Sequence, residues 1–412
     1  MSQPLDLDYV RQQFPALAGP QIFMDNAGGS LTLRNVADRV RDYLLTTDVQ
    51  LGATYRTSAL AAERYAAARR RLAELVNAPA PEEIIFGPST TVLFKLLAHA
   101  ISATIRNGDE IIVTRVDHEA NIGCWLALER HGATVRFWER NKESGDLAVD
   151  DLEPLLNERT RLVCVTHASN IFGTITPIAE IARVVHAKGA RLCVDGVAFA
   201  PHREVDVQAL GADYYAFSLY KTYGPHHAIL HGRRDALLEV GSANHYFFEN
   251  DQIPGKLEPG NANYELSWGA AGIVDYLEEL GGRITPGASG RSARTAAWQA
   301  ITAHERKLSE RLLEFLRNRG DIEILGLPEV GDDARVATIS FVQKGRRSSE
   351  IVTVMDAHDI GIRFGHFYAI RLIADLGLTE QDGVVRVSMV HYNTVDEVDR
   401  LIRALEAILD RR

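Results

Sequence analysis

A lysine stands between two tyrosines in the segment FSLYKTYGPHH, residues 217–227. The residues before it are typical of a strand and a Gly-Pro turn follows, so Lys221 is predicted at a strand end. A lysine in this position is either a solvated surface residue or a nucleophile that forms a Schiff base with a carbonyl compound. Ser218 and Tyr220 place hydroxyl groups beside it.

Four other polar segments follow predicted strands in the same region. They are GPSTT at 87–91, VDHEAN at 116–121, THASNIFG at 166–173 and CVDGVA at 193–198. Taken singly, each fits a helix cap or a turn. Taken together, they supply hydroxyls at a helix start for a phosphate, an imidazole for a ring face, an amide, and a carboxylate for a pyridine nitrogen. With Lys221, this is the set of groups that pyridoxal phosphate requires.

The elements that must position these groups alternate between strand and helix from about residue 80 to 235. This alternation predicts βαβ units in a mostly parallel sheet, whose carboxyl edge binds ligands. After residue 290 a long amphipathic helix and further strands predict a smaller α+β domain. We therefore expect an α/β protein with a large domain at 31–285, a small domain at 286–412, and an N-terminal segment, 1–30, that packs with the small domain.

Composition bounds the class of protein. The 412 residues are 46% hydrophobic and 24% charged, with a net charge of −10. Because phosphate contacts need clustered Lys and Arg, the acidic balance argues against a nucleic-acid partner. No run of 18 apolar residues and no signal-peptide pattern occurs, so a cytoplasmic protein without a membrane span is expected. Cys124, Cys164 and Cys193 lack metal-ligand spacing, and no metal site is predicted.

From FMDNAGGS near the start to VRVSMVHYNTVDEVDRL near the end, the chain resembles pyridoxal-phosphate enzymes of the class V aminotransferase family, fold type I. The branch that it resembles contains the cysteine desulfurases and selenocysteine lyases. The most specific pieces are DHEAN, THASNIFGT, VDGVAFAPHREVDVQALGADYYAFSLYKTYGP and RVSMVHYNT. Members of the family are homodimers, so the resemblance implies a homodimer with shared active sites.

The resemblance also implies a role for individual residues. Lys221 would hold the cofactor and, with His118, would be catalytic. His118 would stack on the cofactor ring, Asp195 would pair with its nitrogen and Asn170 would face its ring oxygen. The further cofactor-binding residues would be Ser89, Thr90, Thr91, Ala198, Ser218, Tyr220 and, reaching the partner's phosphate, Asn261. Arg386 would clamp the substrate carboxylate by a bidentate contact, and the other substrate-binding residues would be Arg363, His366 and Asn26.

Three positions depart from the family pattern. The desulfurases carry a persulfide-forming cysteine just after an Arg-x-Gly-His motif, but here the stretch is GIRFGHFYAIRL and Tyr368 stands at that place. Ala198 replaces a glutamine three residues after the aspartate, and Tyr220 replaces a histidine before the lysine. These changes affect the expected reaction rather than the expected cofactor.

Two enzymatic functions are compatible with this pattern. One is a desulfurase-like lyase that breaks a C–S or C–Se bond of an amino acid without a protein persulfide. The other is an aminotransferase or amino-acid epimerase that uses the same lysine. A non-catalytic relative would tend to lose Lys221 or Asp195, and both are present.

Overall fold

The computed structural model describes residues 4–142, 145, 147–260, 262–331 and 334–410. Within these residues the strands are β1 Ile22–Phe23, β2 Ile84–Gly87, β3 Glu110–Thr114, β4 Thr134–Trp138, β5 Thr160–Thr166, β6 Arg191–Asp195, β7 Tyr214–Ser218, β8 Ala228–Gly232, β9 Ile322–Leu325, β10 Thr338–Gln343, β11 Ile360–Gly361, β12 Arg363–Gly365 and β13 Val384–Ser388.

The α-helices of the same residues are α1 Leu7–Gln12, α2 Arg34–Thr46, α3 Arg56–Leu75, α4 Thr90–Ser102, α5 Gly123–Leu126, α6 Val149–Leu152, α7 Ile178–His186, α8 Val207–Leu210, α9 Arg234–Glu239, α10 Tyr264–Ile284, α11 Gly290–Arg317, α12 Ser348–Met355, α13 Ile370–Asp375 and α14 Val395–Leu409. None of them is both long and apolar enough to cross a membrane.

Seven strands form the large sheet, in the order β2-β8-β7-β6-β5-β3-β4. The strand pairs from β7 to β4 in this order are parallel, whereas β8 is antiparallel to both β2 and β7. Successive residues enter different cores: Val163 and Val194 pack on one face of the sheet, and Cys164 and Cys193 on the other. Burial on both faces explains why these strands are near-continuous apolar runs. The predicted α/β class with a mostly parallel sheet is confirmed.

The small sheet is antiparallel, in the order β12-β13-β10-β9. Its strands alternate, because Val385 and Val387 join an apolar core with α11, α12 and α14, whereas Arg386 and Ser388 lie on the opposite face. From the same polar face, Ser340 donates a hydrogen bond of 2.7 Å to the carbonyl of Ile171 in the large domain. The polar face of the small sheet is therefore turned toward the large sheet.

The N-terminal segment crosses to the small sheet. β1 pairs in parallel with β11, and Asp25 forms a bridge to Ser388. Helix α10 packs on α2, α3 and α11. This pairing brings residues 25–28 between the two sheets, while the predicted domain boundary near residue 285 stays a prediction.

Candidate active site

A cavity lies at the carboxyl edge of the large sheet. Its lining comes from the ends of β5, β6 and β7, the turn after β3 and the start of α4, and consists of Thr90, Thr91, His118, Ala120, Thr166, Asn170, Asp195, Val197, Ala198, Ser218, Tyr220 and Lys221. Parallel strands end at one edge, so residues up to about 130 positions apart in the chain meet there. Of the predicted cofactor-binding residues that the structure describes, this cavity gathers all except Ser89.

The N-terminus of α4 forms one wall. Ser89 caps the helix by accepting a hydrogen bond from the Val92 amide at 3.3 Å. In sequence it directly precedes Thr90, the first residue that lines the cavity. The hydroxyls of Thr90 and Ser218 are 2.8 Å apart. Hydroxyls at the positive end of a 13-residue helix favour an anion, as the phosphate prediction requires.

A buried hydrogen-bond network fixes the turn that carries His118. Asp117 accepts hydrogen bonds from Thr114 and, at 2.7 Å, from the Asn121 amide. His118 Nδ1 accepts the Ala120 N–H at 3.0 Å. Burial, and then the positive charges of Lys221 and Arg386, lower the pKa of His118 to about 4. The imidazole is therefore neutral near pH 7 and offers a flat, uncharged ring face.

Asp195 ends β6 and is 4% exposed. Its Oδ1 accepts the Val197 N–H at 2.9 Å. Burial raises the pKa of this carboxyl to about 6, because a single amide and the charge of Lys221 only partly replace water. The next position, Gly196, has no room for a side chain, since a Cβ there would lie 2.2 Å from the Tyr215 ring.

Lys221 lies just after β7, in a short 3₁₀ turn. Burial, and then the charge of Arg386, lower the pKa of its amine to about 8. The neighbouring Tyr220 stacks on His226 at a centroid distance of 4.9 Å. A lysine with this pKa has a sizeable neutral, nucleophilic fraction near neutral pH.

Two arginines of the small sheet and Asp25 of the N-terminal segment form a cluster of three charges. Arg386 is 2% exposed and donates to Asp25 Oδ1 at 3.3 Å and to the Asn170 carbonyl at 3.2 Å. Arg363 contacts Asp25 Oδ2 at 2.6 Å. Burial lowers the pKa of Arg386 to about 10, so it keeps its positive charge at neutral pH.

Residues 366–369 form a loop that lies against the large-domain turns. The carbonyl of Phe367 accepts the Asn170 amide at 2.9 Å, and the carbonyl of Tyr368 accepts the Glu119 N–H at 2.8 Å. The Phe367 ring lies 3.6 Å from the Arg386 guanidinium carbon. Tyr368, 68% exposed, places its ring 5.2 Å from that of His118.

The remaining predicted residues lie around this centre. Asn26 is buried; its amide donates to the Ser388 carbonyl at 2.8 Å and its oxygen accepts from Tyr392. His366 is exposed, and its Nδ1 accepts the Tyr368 N–H at 3.1 Å. Asn261 lies outside the described residues. The individual roles of all these residues stay predictions.

Sequence reasoning missed Asp25, Asp117 and Phe367. Asp117 could have been found, since a carboxylate in the turn that follows an apolar strand needs partners if it is buried. Asp25 and Phe367 reach the site through contacts with residues more than 190 positions away, for which the sequence carries no local signal.

The donor set fits pyridoxal phosphate. Asp195 is a buried carboxylate with a raised pKa, and a protonated pyridine nitrogen is the cationic N–H partner that such a group favours. The amine of Lys221, the ring of His118 and the hydroxyls at the start of α4 lie around the same cavity.

Comparisons with known proteins agree with this reading. The Aminotransferase class-V family profile matches residues 22–401. An aminotransferase-like protein of Gibberella zeae is 44% identical over 99% of this chain and 100% of its own length. A cysteine desulfurase-like protein of Aspergillus flavus is 35% identical over 99% of this chain and 91% of its own.

Solved structures of two cysteine desulfurases share the fold. The Escherichia coli enzyme is 27% identical with a TM-score of 0.83, and the Thermococcus onnurineus enzyme is 25% identical with a TM-score of 0.87; each match covers 99% of both chains. Members of this family use pyridoxal phosphate. The chain therefore belongs to the class-V aminotransferase family and is a pyridoxal-phosphate-dependent enzyme.

Proposed function

We propose that this enzyme is a desulfurase-like lyase that removes a sulfur- or selenium-containing substituent from an α-amino acid without transferring it to a protein thiol. The observation that supports the proposal is Tyr368, whose exposed ring lies 5.2 Å from that of His118. The family resemblance implies that a desulfurase would have its persulfide-forming cysteine at this position. The leaving group must then depart without a protein acceptor.

None of the three cysteines offers a substitute. Cys164 and Cys193 are fully buried in strands, and Cys124 is 8% exposed with its Sγ donating to the Ala120 carbonyl. Burial raises the pKa of Cys124 and of Cys164 above the ordinary thiol value. Since the thiolate is the reactive form, these residues are poor sulfur acceptors.

The proposal assigns a role to each residue around the cavity. Lys221 would hold pyridoxal phosphate and move the proton of the substrate α-carbon. Asp195 would face the ring nitrogen, His118 and Ala198 the ring, and Asn170 the ring oxygen. Thr90, Thr91, Ser218 and Tyr220 would bind the phosphate, and Arg386 the α-carboxylate. When bound, the cofactor supplies an electron sink for the bond that breaks.

Aminotransfer or epimerisation is the second candidate. Both reactions need Lys221 and Arg386 but no thiol, and the 44% identical relative bears an aminotransferase-like name. Epimerisation would differ from the lyase reaction by its need for a separate proton donor. Aminotransfer would differ by its need for a keto acid as second substrate.

Product analysis by mass spectrometry tests the proposal. We expect the holoenzyme to form alanine or pyruvate from L-cysteine, L-cysteine sulfinate or L-selenocysteine, with release of sulfur or selenium and no need for a keto acid. Cys124→Ser should leave the rate unchanged, because no thiol takes part. Exchange of amino groups that depends on a keto acid, or inversion alone, would refute the lyase and support the second candidate.

A further inference from the structure

The turn that follows β6 carries three of the residues that line the cofactor cavity. They are Asp195, Val197 and Ala198. Within the turn, the Phe199 N–H donates to the Gly196 carbonyl at 3.0 Å. The groups that lie beneath this turn therefore affect the position of the Asp195 carboxylate.

A buried tyrosine and a buried histidine lie beneath the turn. The Tyr215 hydroxyl and His167 Nδ1 are 2.8 Å apart, and both side chains are almost fully buried. The hydroxyl lies against the turn, since a Cβ on Gly196 would lie 2.4 Å from it. The backbone of His167 joins the same turn, because its N–H donates to the Asp195 carbonyl at 2.8 Å. The hydrogen-bonded pair therefore contacts both Asp195 and the residue after it.

The imidazole of His167 is held by two contacts. One is the hydrogen bond to Tyr215, and the other is a stack on the Phe199 ring with a centroid distance of 3.5 Å and an interplanar angle of 14°. On its far side the imidazole lines a second cavity, together with Trp298 of α11. Because empty space lies on that side, the hydrogen bond and the stack keep the imidazole against the turn.

The protonation states suit a hydrogen bond from the tyrosine to the histidine. Burial, and then the negative charge of Asp195, raise the pKa of Tyr215 well above its ordinary value. Burial lowers the pKa of His167 to about 3. Near pH 7 the hydroxyl therefore keeps its proton, and the neutral imidazole has a ring nitrogen that accepts it.

We propose that Tyr215 and His167 are positioning residues for the cofactor, and that their hydrogen bond holds the 195–198 turn so that the Asp195 carboxylate meets the ring nitrogen. Neither side chain lines the cofactor cavity, so both act through residues that do. Groups that contact a ligand keep their geometry only when the residues behind them are fixed. The inference rests on the role proposed for Asp195 and holds for either candidate reaction.

Removal of the Tyr215 hydroxyl tests the inference. Tyr215→Phe keeps the ring and loses the hydrogen bond. The dissociation constant of pyridoxal phosphate, measured by equilibrium dialysis of the holoenzyme, should therefore rise roughly three- to tenfold, as expected for one buried hydrogen bond. The visible circular dichroism of the bound cofactor, which depends on how its ring is held, should change as well. An unchanged dissociation constant in the folded variant would overturn the inference.

The neighbouring tyrosine provides a matched control. Tyr214 is 2% exposed, lies on the opposite face of the sheet, and donates its hydroxyl to the Ala236 carbonyl at 2.9 Å. Tyr214→Phe should lower the urea midpoint of unfolding about as much as Tyr215→Phe does, because each variant loses one buried hydrogen bond. It should leave the cofactor dissociation constant unchanged. Equal weakening of cofactor binding in both variants would reflect general stability and would overturn the inference.

Substitutions of His167 give a second test, which does not require Tyr215→Phe to fold. An asparagine places its amide near the position of Nδ1, so His167→Asn should retain most of the cofactor affinity. His167→Leu has no acceptor and should lose affinity. Adding Tyr215→Phe to His167→Leu should cause little further loss if the two residues act as a pair. Losses that simply add would overturn the inference.

Asp195→Asn tests the role on which the inference rests. If the carboxylate pairs with the ring nitrogen, Asp195→Asn weakens cofactor binding, and adding Tyr215→Phe to it has little further effect. Unchanged cofactor binding in Asp195→Asn would refute the role of Asp195 and the inference with it. Reaction products are measured separately, so a failure of the lyase proposal would leave the positioning role standing.

Discussion

At the scale of single residues, the chemistry depends on how burial changes proton affinity. Burial removes water from Lys221 and His118 and lowers the pKa of both side chains. Positive charges near each of them lower it further. Asp195 gains proton affinity because it too is buried. The result is a site with a neutral imidazole, a partly neutral amine and a carboxylate that favours a cationic partner.

The pKa of Lys221 makes cofactor capture dependent on pH. Only the neutral amine reacts with an aldehyde, so we expect the rate at which the cofactor-free enzyme recaptures pyridoxal phosphate to rise roughly fifteenfold from pH 6.5 to 8 and to level off above about pH 9. The growth of cofactor absorbance after mixing measures this rate. A rate that is flat across this pH range would contradict the assignment.

The covalent link to the cofactor gives a second test of Lys221. Lys221→Ala should abolish the borohydride-reducible link to the cofactor, whereas Lys188→Ala, at an exposed position, should retain it.

At the scale of elements, the 366–369 loop is held to the large domain by the start of α13. Arg371 donates two hydrogen bonds to Glu119, at 2.9 and 3.0 Å, directly beside His118. Phe367 and Tyr368 have positive φ angles of 48° and 60°, which cost free energy for residues with side chains. The loop therefore depends on its contacts to keep this conformation.

Removal of the Arg371–Glu119 pair should loosen this loop more than it destabilises the fold. Both side chains are about one-third exposed, so Arg371→Met should lower the free energy of unfolding by no more than about 1 kcal/mol. Hydrogen exchange at the amides of residues 367–369 should become several times faster. Arg317→Met, which breaks the comparably exposed pair with Glu310, should leave this exchange unchanged. Unchanged exchange in Arg371→Met would show that the pair does not hold the loop.

The elements also show how far sequence reasoning extends. The ends of β5, β6 and β7 were predictable because each strand is a local apolar run followed by polar residues. The opposition of Arg363 and Arg386 was not, because it depends on the register between β12 and β13. Asp25 likewise enters the site only through the pairing of β1 with β11. Local patterns predict which residues end a strand, and long-range pairing decides what they meet.

At the scale of the whole molecule, buried aromatic and histidine side chains join the N-terminal segment to both sheets. His391, which follows β13, bonds the Tyr276 hydroxyl at 2.6 Å and contacts the rings of Phe14 and Tyr223. Burial, and then the charges of His304 and His202, lower the pKa of His391 to about 3. Burial likewise lowers the pKa of His167 to about 3 and that of His227 to about 4.

These histidines make the fold sensitive to acid. Below pH 6.5 the unfolded chain binds a proton at each imidazole while the folded chain does not, so stability falls as the pH falls toward 4. Each group contributes at most about 1.4 kcal/mol per pH unit. Buried Asp117 acts in the opposite direction, because burial raises its pKa to about 7 and the folded state then binds the extra proton.

A single substitution isolates one of these contributions. His391→Gln keeps a polar partner for Tyr276 but does not titrate, so the difference in unfolding free energy between pH 6.5 and 5 should shrink by about 1–2 kcal/mol relative to the wild type. Urea titrations of the holoenzyme at the two pH values measure this difference. His131→Gln, at an exposed position, should retain the wild-type difference. If His391→Gln also retains it, the imidazole of His391 takes up its proton without unfolding, and the junction of the segment and the two sheets is open to water.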